Sequence, residues 1–164
     1  MSDSNAEFAK YLDERFQGEV FGEAIFAAMA DAEPDALARY KWRVLEALER
    51  ETKEYLGRAL RERGHAADPS EEQRVNGDKL GRRLVSVPRA MFMAGFRTEV
   101  ARFVAEYEAA EAHAPADGLA IARHVTAHER AILDFTDREI AGRSADSPEP
   151  VLALLANPPP PPRS

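Results

Sequence analysis

Apolar residues in this chain recur at intervals of three and four, and no segment keeps a two-residue alternation, the pattern of helices that each bury one stripe. Four long segments carry it. The first runs from about Ser4, where Ser4-x-x-Glu7 has capping-box spacing, to Asp31. A tight turn, "DAEPD", leads into the second, with Pro34 in its first turn and Gly64 beyond its end near Arg63. The third opens at Ser86-Val87-Pro88 and lasts to about His113. After "APADG" the fourth spans about Asp117 to Ile140 and is ended by Gly142. Residues 64–87 are too long for a hairpin turn, and Asp68-Pro69 is placed to cap a short helix of roughly two or three turns within them. The expected fold class is all-α: an antiparallel four-helix bundle over residues 1–142, made of two helical hairpins joined by a long connector. The proline-rich tail, 143–164, is expected to be largely disordered or extended. Its exception is a short helix at 150–156, where "VLALLA" (Val151 to Ala156) forms a plug against the bundle or a partner.

The stripes contain acids. Counting about 100° per residue, Phe8, Leu12, Phe26 and Ala30 fall within about 20° of Glu19, and Glu23 lies about 40° away. Both acids of "QGEVFGEAIF" (17–26) are therefore expected to point inward. On the second helix Ala38, Trp42, Leu45, Leu48, Leu56 and Ala59 mark the buried face, with Thr52 inside it and Glu49 on its inner margin. Phe92, Phe96, Phe103 and Ala110 define the third stripe, with Glu99 and Glu106 among them. Ile121, Val125, Ile132 and Phe135 define the fourth, with His128 among them, Glu139 near the same line and Glu129 on the margin.

Height agrees with direction. At a rise of about 1.5 Å per residue, Glu19 and Glu49 stand about 21 and 24 Å from the first turn, and Glu129 and Glu99 about 21 and 24 Å from the second. Helices of this length are roughly 40 Å long, so one mid-height cluster is geometrically allowed. An isolated ionised carboxylate in a dry core costs several kcal/mol, so such a cluster needs protons, cations, water or metal. Arg15, Lys41, Arg63 and Arg102 lie near core faces and are the rival partners.

Composition narrows the chemistry. The 164 residues suit one domain with a real core. With 29 acidic against 22 basic side chains the formal charge is -7, which disfavours a nucleic-acid partner. Cysteine is absent, excluding disulfides, thiolate metal sites and a cysteine nucleophile. The opening "MSDSNAEFAK" lacks a basic segment followed by an apolar core, and no apolar run reaches bilayer length. A cytoplasmic protein without membrane contact is expected. There is no Gly-rich phosphate loop, no Gly-x-Ser-x-Gly elbow and no His-Glu-x-x-His.

Four helices, a long link between the second and third, and inward acids at mid-height resemble the ferritin-like superfamily over residues 4 to 142. The resemblance implies a di-iron-type centre with a Glu from the first and third helices and Glu-x-x-His from the second and fourth. By position Glu19 and Glu99 match the single ligands, with Glu23 and Glu106 as alternates, and Glu49 and Glu129 match the other two acids. The two histidine positions are Thr52 and Ile132, so His128 is the candidate lone nitrogen donor of an atypical or vestigial site. What the resemblance implies is iron or manganese as cofactor, two metals, oxidase, oxygenase or peroxide chemistry on a small molecule, and a homodimer. Two other readings stand beside it. One is a metal-free scaffold or dimerisation module, docking a partner through 148–156. The other rests on His124-x-x-x-His128, which is similar to the last-helix pair of DinB-like metal-dependent bundles, with Glu49 or Glu23 as third ligand.

Overall fold

The computed structural model describes residues 3–162 and is all-helical: α1 (Asp3–Ala32), α2 (Ala36–Glu62), α3 (Glu71–Leu84), α4 (Arg89–Ala112), α5 (Leu119–Ile140) and α6 (Glu149–Leu152), with no strand among the described residues. The long helices lie where the three-and-four spacing places them. The side chain of Ser4, and with it the expected capping box, lies outside the described side chains. Pro34 stands ahead of α2 rather than in its first turn, because Asp35 is the N-cap and its carboxylate accepts the Ala38 N–H at 2.7 Å. Gly64 and Gly142 follow α2 and α5 with φ of 79° and 74°, the left-handed conformation that closes a helix end.

The connector helix is longer than the expected two or three turns. α3 has 14 residues and is capped by Ser70, which accepts the Gln73 N–H at 3.3 Å, not by Asp68. Its acids Glu71 and Glu72 sit in the first turn and Arg82 and Arg83 in the last, matching the helix dipole. What docks it is the absence of side chains at Gly77 and Gly81. A Cβ at either would collide with the α1 backbone carbonyl of Phe21 or Ile25 and crowd Ala24 or Ala28. α3 therefore lies flush on α1 and runs alongside it, entering where Ser70 N–H meets Gln17 Oε1 at 2.9 Å.

Side-chain pairs fix how the long helices pass one another. Phe26 stacks on Trp42 and Arg43 reaches Asp31 between α1 and α2. Arg97 pairs with Asp137, and Arg130 with Glu108 at 2.7 Å, between α4 and α5. Lys41 pairs with Glu139 and Arg63 with Asp117 between α2 and α5. Phe26 meets Phe96, and Arg15 meets Tyr107, between α1 and α4. No described helix is long and apolar enough to cross a membrane.

The core is split in two. One cluster gathers Phe26, Met29, Trp42, Leu45, Phe92 and Phe135, and the other Phe8, Leu12, Phe16, Leu56, Leu60 and Ile121. Glu19, Glu49, Thr52, His128 and Glu129, all buried, lie at the sequence levels between them. The chain after α5 folds back onto the first cluster. Lys41, 1% exposed, binds Glu139 and the Ser144 carbonyl, Arg89 holds the other Glu139 oxygen at 2.8 Å, and Val151 of α6 is fully buried. Burial would raise the Glu139 pKa, but hydrogen bonds from Lys41, Ser147 and Arg89 outweigh it and hold the carboxyl below its ordinary value.

Candidate metal centre

Glu19 of α1, Glu49 of α2 and His128 of α5 converge, each offering a ligand atom within 4.8 Å of the others. Their positions follow from local sequence. Glu19 shares a face with Leu12, Phe16 and Phe26, so burying the aromatic stripe buries the acid. Glu49 finds room because α1 carries Gly22 opposite it: a Cβ there would collide with the carboxylate. His128 is 1% exposed and is fixed by Thr52, whose Oγ1 lies 2.9 Å from Nδ1. The other ring nitrogen, Nε2, stands 3.5 Å from Glu49 Oε1, and Nδ1 stands 3.6 Å from Glu19 Oε2.

Charge is unbalanced in this layer. Burial, then the Glu49 and Glu129 carboxylates, raises the Glu19 pKa well above the ordinary carboxylate range. Glu129 is pushed up to about 7, chiefly by burial, which His128 partly offsets and Glu49 reinforces. Burial alone would lower the His128 pKa, but the charge and hydrogen bond of Glu49, with Glu129, raise it above the ordinary imidazole value. Glu19 Oε2 is buried and accepts no hydrogen bond. An orphaned carboxylate oxygen in a dry layer is the kind of group that a proton, a water or a cation must satisfy.

The donors fit one hard or borderline cation. Two ligands on bonds of about 2.1 Å stand at most about 4.2 Å apart, so closure from 4.8 Å needs a contraction of only about half an ångström. Thr52 occupies Nδ1 and leaves Nε2 for the ion, which is the outer hydrogen bond that metal-ligating histidines ordinarily carry. Thr52, expected to mark a missing ligand, instead holds the ring of His128.

A second ion lacks its ligands among the described residues. Glu99 does not join the cluster: its side chain is 61% exposed and pairs with Arg102 at 3.0 Å. Counting about 100° per residue, the buried Phe92, Met93, Val100, Val104 and Tyr107 centre α4's inner face about 50° further round than Phe92, Phe96 and Phe103 alone suggest, leaving Glu99 about 90° off. Glu106 is exposed too, between Arg102 and Arg15. Glu23 is half-buried and paired with Lys53. Glu129 is buried but is not one of the three converging groups; its charge is felt by His128 and Glu19, and it adds to the burial that pushes the Tyr11 phenol up to about 12.

The rival cations leave the centre open. Arg15 donates to the Tyr107 hydroxyl and Arg102 lies outside, so neither pairs with Glu19 or Glu49. The two histidines of the last long helix part company: His124 lies against Tyr55 with ring centres 4.2 Å apart, while His128 turns inward. Gly22 is the feature that residue spacing did not single out, though a glycine one turn from an inward acid was the available signal. No protein-family model, no curated protein and no solved structure matches this chain, so the reading of the centre rests on its own geometry.

Proposed function

We propose that this chain is a ferritin-like antiparallel four-helix bundle whose carboxylate centre has been reduced to one metal, iron or manganese, held by Glu19, Glu49 and His128. The observation that carries the reading is the buried, unpartnered Glu19 Oε2 beside a carboxylate and an imidazole already oriented by Thr52. The helix order supports the bundle: α2 and α4 start at the same end, where Arg89 lies over Trp42 at 5.3 Å, and α3 returns the chain along α1 to that end. Glu19, Glu49 and His128 would hold the ion, which when bound would supply Lewis-acid or redox chemistry toward dioxygen or a peroxide. The two carboxylates would neutralise it, His128 would tune it, and Glu129, poised near neutrality, would hold or release a proton in the same layer.

Protein from iron- or manganese-supplemented culture is expected to carry about one ion per chain, and to lose both the ion and its added thermal stability in Glu19→Ala. No metal above background, with unchanged stability in that variant, rejects the proposal. A metal-free scaffold is the second reading. It is favoured by the raised Glu19 pKa, since a proton held on Glu19 also removes charge from the core. In either case a homodimer is the proposed assembly, through the end where Leu37, Met91 and Ile140 are exposed.

A further inference from the structure

Beside the centre, α2, α5 and the returning C-terminal segment enclose a cleft of about 310 Å3. Its lining runs from surface to core. Leu154, Ala156 and Asn157 are exposed, whereas Thr52 and His128, also in the lining, are each 1% exposed. The inner walls are apolar, from Leu48 and Ala127, with the Tyr55 and His124 rings, tilted against each other at 33°, on one side. The outer wall is fastened by Glu51, whose two carboxylate oxygens accept the Ala156 and Asn157 N–H groups at 2.8 Å each.

The electrostatics select against anions. The charged groups of the lining at the mouth are Glu51, Glu54 and Arg58, two carboxylates against one guanidinium. An anion entering there meets a net negative mouth and, beyond it, the carboxylates of Glu19, Glu49 and Glu129. A neutral molecule meets no such barrier. At about 30 Å3 per water-sized group, the cleft accommodates roughly ten such groups, the scale of one substituted ring.

We infer that this cleft binds a small neutral molecule with a flat apolar body and one hydrogen-bonding end, the body lying along the Tyr55 and His124 rings and Ala127 and the polar end meeting the Thr52 hydroxyl beside His128. The inference deepens the metal-centre reading, because a molecule seated there lies on the His128 side of the centre and is placed as its substrate. Binding itself needs no metal. The tail segment 154–157 is part of the site, and Glu51 is its positioning residue.

The test titrates phenol, with benzoate as its anionic counterpart, into the metal-free full chain labelled with 15N-histidine, following the His128 ring by NMR. Phenol is expected to shift His128 saturably in the millimolar range, with benzoate at least tenfold weaker. Leu154→Trp, a change at an exposed position that fills the cleft, is expected to weaken phenol at least tenfold, and Glu51→Ala at least threefold. Absence of a saturable shift, an unchanged shift in Leu154→Trp, or equal binding of benzoate overturns the inference. Manganese uptake by the same samples separates the two readings: phenol binding without uptake removes the metal centre and keeps the cleft, and uptake without phenol binding does the reverse.

Discussion

Thr52 and His128 are joined across α2 and α5 by a hydrogen bond of 2.9 Å between Oγ1 and Nδ1. Both groups are buried at the inner end of the cleft between α2 and α5, so each is the other's nearest polar partner. Thr52→Val keeps the shape and removes the hydroxyl. It is expected to cost about 1–2 kcal/mol of stability and about 10–100-fold in manganese affinity, the usual effect of removing a ligand's outer hydrogen bond. Thr52→Ser is expected to restore most of the affinity, checked by calorimetric titration of the three proteins.

Gly22 and Gly18 separate space from helix propensity. Alanine at Gly22 collides with the Glu49 carboxylate, whereas a Cβ at Gly18 meets nothing within 4 Å. Gly18→Ala is expected to stabilise the chain by roughly 0.5–1 kcal/mol with metal affinity unchanged. Gly22→Ala displaces Glu49, so its affinity is expected to fall more than tenfold while the same propensity gain offsets part of the steric cost. Urea denaturation and metal titration of both variants check this.

The buried acids give the metal-free protein an inverted pH dependence above pH 5. Glu129 is raised to about 7, Glu19 is raised, and His128 is raised. Each such group binds its proton more tightly folded than unfolded, so its contribution is complete below the unfolded value and is lost as pH rises through the folded one. Stability is expected to fall between about pH 5 and 8, with Glu129 alone contributing up to about 3 kcal/mol of that fall. Saturating manganese is expected to flatten or reverse the slope, because the ion requires the deprotonated ligands. Melting temperatures at several pH values, with and without manganese, decide it. Groups with lowered values, such as Glu139, act oppositely: their contribution is present above the ordinary carboxylate value and lost as pH falls through the folded one, which is why the window stops at pH 5.

Lys41 anchors the returning tail to the bundle through Glu139 and Ser144. Lys41→Ala leaves the Glu139 carboxylate buried without its main partner and is expected to cost about 3–5 kcal/mol. Hydrogen exchange at Val151 and Leu152 is expected to accelerate with it, as α6 loses its anchor.

The long helices were legible because a three-and-four spacing sustained over twenty or more residues has no competing reading. Glu19 and Glu49 were legible for the same reason, being flanked on their own faces by large apolar side chains. Glu99 was misplaced because three phenylalanines dominate the look of α4, yet Phe96 and Phe103 sit at the margin of a face that Val100, Val104 and Tyr107 centre. α3 was underestimated because its connector is polar and carries no apolar stripe to measure it by, whereas the helix runs from the Ser70 cap through Gly77 and Gly81 to Leu84. The role of those two glycines, close approach to α1, appears only once the partner helix is in place. The hydrogen bond between Thr52 and His128 joins two residues 76 positions apart, a relation that no local pattern encodes.

The most direct test is an anomalous difference map from crystals of the full chain grown with manganese. One peak per chain is expected, within about 2.3 Å of Glu19, Glu49 and His128 Nε2. A map with no peak there, with only water between those side chains, contradicts the account.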